Sequence, residues 1–102
     1  MAALRFSWKE AKAAANMKKH RVSFETAARV FLDPYALTEQ DRIEDGEQRW
    51  QTLGIVDGHL LLLVAHTVWE ENEDGEPVEL IHIISARRAE HRERRRYEEE
   101  RR

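Results

Sequence analysis

The first third of the chain changes from a strand-like to a helix-like hydrophobic pattern. Leu4 to Trp8 alternates apolar and polar residues, which predicts a short strand with one buried face. Apolar residues recur at helical spacing from Lys9 to His20, which predicts a helix with a small apolar side. Ser23 is an N-cap residue type, and a second helix is expected from Phe24 to about Leu32, because Asp33-Pro34 stops it.

The middle of the chain has the pattern of strands joined by turns. Tyr35 to Thr38 predicts a short strand, and the polar, acidic residues 39–48 predict a loop. Arg49 to Val56 and His59 to Trp69 predict two further strands. Asp57-Gly58 between them is a dipeptide favoured in two-residue hairpin turns, so these two strands are expected to pair.

The last quarter joins an apolar strand to a highly charged segment. Val78 to Ile84 is apolar at odd and even positions, as in a central strand whose two faces are both covered. The acidic turn Glu70–Pro77 is expected to bring this strand back antiparallel to the previous one. Ser85 is predicted to cap a helix that begins at Ala86 and contains no Gly or Pro.

Length and composition limit the fold to one domain. With 102 residues the chain can bury one modest core, so we predict a single domain over residues 1–102, with residues 98–102 as a frayed tail. Two N-terminal helices and a C-terminal helix should pack on an antiparallel sheet of about four to five strands, which is an α+β fold. There is no cysteine and no apolar run of membrane-spanning length, so a soluble, cytoplasmic protein is expected.

The charges are segregated although the net charge is only −3. Residues 1–32 hold seven Lys and Arg against two Glu, and residues 86–102 hold eight Arg against five Glu, so the middle is acidic. This pattern fits one surface for an anionic ligand beside an acidic flank, but it also fits a domain that is merely kept soluble. His59 and His66 are seven residues apart on a strand and point to opposite faces, so no metal site or cofactor is expected.

One stripe of the first predicted helix mixes cations with polar groups. Lys12, Asn16, Lys19 and His20 lie at i, i+4, i+7 and i+8, so they share one side of the helix, and no acid is among them. The stripe is either a solvated face or part of a binding site.

Two motifs in the sequence resemble those of BrnT toxins. Trp8 to Lys12, followed by Asn16, Lys19-His20 and Val22 to Ala27, is similar to the family's N-terminal signature, and Ile83 to Ala89 resembles its C-terminal motif. Further similarities lie at Arg49, Gly54, Arg92-Glu93-Arg94 and Tyr97. The resemblance covers nearly the whole chain. It implies a RelE-like fold, a ribonuclease toxin of a bacterial type II toxin–antitoxin pair, and a BrnA-type antitoxin that masks the toxin and binds operator DNA.

Three departures from the family pattern keep a second hypothesis open. Arg21 stands where the family has Gly, and His82 stands where it has Arg. Val68-Trp69 stands where the family has an acidic residue followed by a basic one. The chain is therefore expected to be either a metal-independent endoribonuclease toxin or a binding module that keeps the fold and the antitoxin surface without cleavage.

RNA cleavage without a metal needs a base for the 2′-OH proton, an acid for the leaving 5′-oxygen and cations around the phosphorane. Histidines can exchange protons near neutral pH, and Lys or Arg can hold phosphate. Candidates by type are His20, His66 and His82 for proton transfer, and Lys12, Lys19, Arg49, Arg87 and Arg88 for phosphate. His82 lies inside an apolar strand, so a core role is favoured for it, and Arg87 is the favoured arginine.

The predicted site is therefore one basic cleft between the helical stripe and Arg87. The predicted catalytic residues are His20, Lys12, Lys19, Arg49, Arg87 and Tyr97, and the predicted RNA-binding residues are Asn16, Arg88 and Arg94. An acidic antitoxin segment should cover this cleft in a hetero-oligomer, with Trp50, Trp69 and Tyr97 as apolar receivers. Operator DNA is expected to bind only through the antitoxin.

Overall fold

A five-stranded sheet with three helices forms the molecule, and the computed structural model describes residues 3–101. The elements in chain order are β1 (Ala3–Ser7), α1 (Glu10–His20), α2 (Phe24–Ala28), a 3-10 helix (Arg29–Leu32), β2 (Leu37–Glu44), β3 (Glu47–Val56), β4 (Leu60–Glu73), β5 (Glu76–Arg88) and α3 (His91–Glu100). The predicted α+β fold is confirmed. The predicted second helix is only five residues of α-helix, and its last turn is the tighter 3-10 helix.

The strand order is β1-β5-β4-β3-β2. The four later strands form an antiparallel meander, but β1 pairs with β5 in parallel, so the prediction of a wholly antiparallel sheet is wrong. The reason is that α1 and α2 carry the chain away from β1 before the meander begins, and β1 then pairs with the meander's last strand.

All three hairpin turns are Asp-Gly dipeptides. Asp45-Gly46, Asp57-Gly58 and Asp74-Gly75 have φ between +52° and +84° at both positions. Positive φ at both central residues defines the turn whose twist matches that of the paired strands. The loop predicted for residues 39–48 is instead the hairpin between β2 and β3. Because β2 is an edge strand with almost no buried side chain, it lacks the apolar alternation that would have revealed it.

The C-terminal boundary differs from its prediction. Ser85 does not cap a helix, because β5 continues to Arg88 and stays paired with β4 as far as Leu62. The helix begins at His91, where Glu90 and Glu93 form a reciprocal capping box. The hydrogen bonds of the strand ladder thus override helix propensity in this segment.

Two local signals at the first helices are confirmed. The Ser23 hydroxyl accepts a hydrogen bond from the Thr26 backbone N–H and caps α2. Arg21 has φ of 59° and ψ of 29°, and its N–H bonds the Met17 carbonyl at the end of α1. A residue with a side chain thus occupies the left-handed position at which the family pattern has Gly.

The sheet has two faces that are covered very differently. On the closed face, α1 and α2 pack over a core that includes Phe24, Val30, Leu62 and Ile83. Gly54 permits this packing, because a Cβ there would lie 2.7 Å from Val30 Cγ1. On the open face, α3 covers only one end through a smaller cluster, which consists of Leu53, Leu61, Leu63 and Tyr97. Within residues 3–101, no helix is long and apolar enough to cross a membrane.

Candidate functional site

A row of polar side chains crosses the uncovered part of the open face. His82 pairs with Ser7 on β1 and with Thr67 on β4, so the three side chains share one face. His82 Nδ1 lies 2.9 Å from Ser7 Oγ. This hydrogen bond fixes the imidazole and leaves the other ring nitrogen, Nε2, for a ligand.

Cations from α1 and β3 border this row and form a cleft of about 270 Å³. The polar residues lining it are Lys9, Lys12, Glu47, Arg49 and His82. Strand β1 ends just before the first turn of α1 and pairs with β5, which is why Lys9 and Lys12 lie beside β5.

Packing of a single aromatic pair fixes where α1 starts. Trp8 meets Phe24 edge-on, with ring centroids 5.9 Å apart, and Phe24 is fully buried in the closed-face core. The position of the two lysines is therefore set by the core rather than by the solvated side of the helix.

Arg49 is an incompletely paired cation. Its side chain is only 20% exposed, and its nearest carboxylate is Glu44, with an Nη2–Oε2 distance of 3.4 Å. The buried Nε has no hydrogen-bond partner among residues 3–101. A guanidinium with donors to spare at the wall of a cleft is suited to bind a carboxylate or phosphate.

The histidine in the cleft is His82, and the prediction of a core role for it is wrong. The core histidine is His66, which is 1% exposed and whose Nε2 lies 2.7 Å from Thr52 Oγ1. Burial lowers the pKa of His66 to about 4, against a smaller opposing effect of the Thr67 carbonyl, so His66 is neutral at pH 7. His20 lies eight residues beyond Lys12, or about 12 Å along α1.

Asn16 has a structural role, which corrects its assignment to RNA. Its Nδ2 donates to the carbonyl oxygens of Val22 at 2.9 Å and Ala86 at 2.8 Å, and its Oδ1 accepts from the Ala86 N–H at 3.1 Å. The side chain is buried. Asn16 therefore fastens α1 and the following turn to β5, with both of its N–H donors in use.

Arg87 is likewise engaged within the fold, and it does not line the cationic cleft described above. Its guanidinium donates two hydrogen bonds to Glu93, at 2.9 and 2.8 Å. The bond to Glu93 raises the pKa of Arg87 against the effect of burial, and Glu90 adds to it. Ala86 belongs to the closed-face core, and alternation directs the Arg87 side chain to the opposite face.

Tyr97 is buried, so it cannot stack on a base or receive an antitoxin anchor as predicted. It is 2% exposed, and its hydroxyl donates to Asp33 Oδ2. Burial is the largest cause that raises the pKa of Tyr97 to about 12, and the hydrogen bond to Asp33 is the second. Burial alone would raise the pKa of Asp33, but the bonds from Tyr97 and from the backbone of Ile55 and Tyr35 lower it.

Three other predicted residues, all within the described residues 3–101, do not line this cleft. Lys19 is exposed near the end of α1, Arg88 is exposed at the end of β5, and Arg94 is half-buried on α3. Their roles in RNA binding stay predictions. Across the part of the chain that the structure describes, no three His, Cys, Asp or Glu side chains are grouped as a metal site requires.

Comparison with known proteins gives the family. The family model described as the ribonuclease toxin BrnT of a type II toxin–antitoxin system matches residues 8–93. The 1.1 Å crystal structure of the Brucella abortus ribonuclease toxin BrnT is similar in fold, with a TM-score of 0.56. The two chains are 20% identical, and the match covers 87% of this chain and 99% of that chain. Curated protein sequences give no match. Because the family model spans most of the chain, this protein belongs to the BrnT family of ribonuclease toxins of type II toxin–antitoxin systems.

Proposed function

We propose that the chain is a metal-independent endoribonuclease of RelE-like fold that inhibits growth in the cytoplasm and is neutralised by a BrnA-like antitoxin. The observation that carries the proposal is a fixed imidazole, His82, in one cleft with Lys12 and Arg49. An imidazole can move a proton near neutral pH, and the cations can stabilise charge on a phosphate.

The reaction is an internal transfer at phosphorus. The 2′-oxygen attacks the phosphorus, the bond to the 5′-oxygen breaks, and the products are a 2′,3′-cyclic phosphate and a 5′-hydroxyl. A base takes the 2′-OH proton and an acid gives a proton to the 5′-oxygen. His82, through Nε2, serves as one of these groups, and Glu47 is the second ionisable group in the cleft that can accept a proton.

Lys9, Lys12 and Arg49 supply the positive charge. As the phosphorane forms, negative charge builds on its non-bridging oxygens, and cations fixed beforehand stabilise it without reorganisation. Arg49 is 20% exposed and brings a planar fork of donors, so it is the preorganised cation that favours the transition state. The exposed Lys9 and Lys12 add positive potential that attracts the phosphate.

Replacing two histidines separates this site from the one predicted by sequence. His82→Gln should lower cleavage of single-stranded RNA by about 10²–10⁴-fold, the usual contribution of a general acid or base. His20→Gln is the matched control and should stay within about threefold, because His20 lies at the other end of α1. Excess EDTA should leave wild-type cleavage unchanged. The site is refuted if His20→Gln abolishes cleavage while His82→Gln does not.

A non-catalytic binding module is the second candidate function. The observation in its favour concerns Trp69, which stands where the family pattern has a basic residue. Trp69 is instead an exposed apolar residue beside the cleft. Expression of the chain alone in bacteria discriminates between the two. Growth arrest with loss of mRNA supports the ribonuclease, whereas normal growth with intact antitoxin binding supports the module.

The proposed antitoxin brings an acidic segment to the cationic cleft. Opposite charges speed the encounter, while a few buried anchors supply most of the affinity. Of the predicted aromatic receivers, Trp69 is 59% exposed on the open face, whereas Trp50 is half-buried and pairs with His66 on the closed face. Operator DNA should bind only through the antitoxin, because the chain alone has a net charge of −3. Sequence-specific binding of the operator by the chain without a partner would contradict this assignment.

A further inference from the structure

A second cavity on the open face adjoins the cationic cleft. It has a volume of about 440 Å³ and is lined by residues 45–48 of the β2–β3 hairpin and by residues 67–69 of β4. Glu47 lines both cavities. The two cavities therefore lie side by side on the open face, and together they are called the groove.

Trp69 supplies the aromatic surface of this second cavity. Thr67 pairs directly with His82, and Trp69 follows two residues later on the same face of β4, about 7 Å further along the strand. The Trp69 side chain is 59% exposed, although it is one of the largest apolar side chains in the molecule. A flat aromatic ring next to the proposed site of phosphate chemistry is suited to stack on a nucleobase.

The charges at the two ends of the groove are opposite. Lys9, Lys12 and Arg49 line only the cleft, Asp45 lines only the second cavity, and Glu47 lines both. A phosphate is attracted to the first end and repelled from the second. A nucleobase is neutral, and its amino groups can donate hydrogen bonds to carboxylates.

We propose that the second cavity is a nucleobase subsite for the RNA substrate. Trp69 stacks on a base next to the scissile phosphate, and the carboxylate of Asp45 accepts a hydrogen bond from its amino group. The subsite therefore prefers guanine, adenine or cytosine to uracil, which has no amino group. This inference rests on the proposed ribonuclease function and adds a specificity-determining residue to it.

Two substitutions at Trp69 and one control test the stacking. Trp69→Ala should lower kcat/KM on single-stranded RNA by about 10- to 100-fold, mainly through KM, which is the scale of one lost base stack. Trp69→Phe should restore most of the loss, because it keeps an aromatic ring. Leu32→Ala removes another exposed apolar side chain, 77% exposed and outside the groove, and should change nothing.

The preference for an amino group is tested on RNA oligonucleotides that differ only in the bases flanking the cleaved bond. Wild-type protein should cleave the oligonucleotide with uracil flanks more slowly than those with guanine, adenine or cytosine. Asp45→Asn keeps a residue that tolerates the positive φ of 53° at this turn and should reduce that preference severalfold. Equal cleavage of all four oligonucleotides by the wild type would overturn the carboxylate part of the proposal.

Binding of 2′-O-methyl RNA, which cannot be cleaved, separates the subsite from the catalytic function. If the wild type does not cleave but Trp69→Ala still weakens binding of this RNA by 10-fold or more, the subsite stands and the ribonuclease proposal fails. If the wild type cleaves and Trp69→Ala cleaves equally well, the subsite is refuted. Loss of antitoxin binding alone in Trp69→Ala would also refute it and assign Trp69 to the protein partner.

Discussion

The two faces of the sheet put the same alternating strands to different uses. The closed face buries Leu62, Val64 and Ile83 beneath two helices, and its buried polar side chains Asn16, Thr52 and His66 are hydrogen-bonded within the fold. The open face is covered at one end by Tyr97 of α3 and is polar and cationic at the other. The contrast shows that stability and the proposed chemistry are separated by the thickness of one sheet, so substitutions should affect one or the other.

After His82→Gln, Arg49→Ala should give the largest effect on the open face. Loss of one preorganised donor to a developing charge lowers kcat by about 10²–10³-fold. The free energy of unfolding should change by less than about 1 kcal/mol, because the ion pair with Glu44 is long and partly exposed. RNA cleavage assays and urea unfolding measure the two quantities. A large loss of stability with normal cleavage would remove Arg49 from the site.

Asn16→Ala should give the opposite result. It leaves the Ala86 backbone and the Val22 carbonyl without their side-chain partner, and each unsatisfied buried group costs about 1–3 kcal/mol. We expect a total loss of about 3 kcal/mol in urea unfolding. Asn16→Asp, which keeps an acceptor for the Ala86 N–H, is the comparison. If Asn16→Ala unfolds like wild type but no longer binds RNA, the original assignment to RNA is right.

His66 should make the closed face sensitive to acid. The unfolded state takes up a proton at a pKa near 6.5 and the folded state only near 4, so the free energy of unfolding falls as the pH drops from 6.5 to 4. The loss should approach about 3 kcal/mol. Urea unfolding at several pH values measures it, and His66→Gln should flatten the curve in this window. An unchanged pH dependence in that variant would show that His66 is not the group responsible.

Tyr97→Phe tests the covered end of the open face. It removes the hydroxyl that donates to Asp33 and should lower the free energy of unfolding by about 2 kcal/mol, the scale of a hydrogen bond to a charged group. RNA cleavage at a temperature where both proteins are folded should be unchanged. Loss of cleavage without loss of stability would return Tyr97 to the catalytic site.

Arg21→Gly should give the smallest effect, and a favourable one. Arg21 holds a left-handed conformation, which is strained by about 1 kcal/mol for a residue with a Cβ. Glycine should therefore raise the free energy of unfolding by up to about 1 kcal/mol. Part of this gain is lost because glycine increases the conformational entropy of the unfolded chain. Thermal unfolding detects the change, and Arg21→Ala, which keeps the Cβ, should not be stabilised.

The sequence by itself determined the local structure and the family. Asp57-Gly58 fixes its hairpin through positive φ, Ser23 caps its helix with its own hydroxyl, and the apolar spacing of α1 places that helix within one residue. These features depend on near neighbours in the chain, so they can be read without the fold. The two motifs that resemble BrnT toxins also lie in contiguous sequence, and the family match over residues 8–93 confirms them.

Only the tertiary structure decided which polar residues meet. Ala65 of β4 pairs with Ser85 and the next residue, His66, pairs with Ile83, so Ile84 of β5 has no partner on β4. Because of this extra residue, Ile83 and Ala86 lie on the same face although one position is odd and the other even. Such a bulge reverses the alternation for every later residue, and it turns Arg87 toward α3. His82 reaches the cleft because Ser7, 75 residues away, lies beside it on a parallel strand. Pairing across such separations is set by packing of the whole sheet, and no local pattern records it.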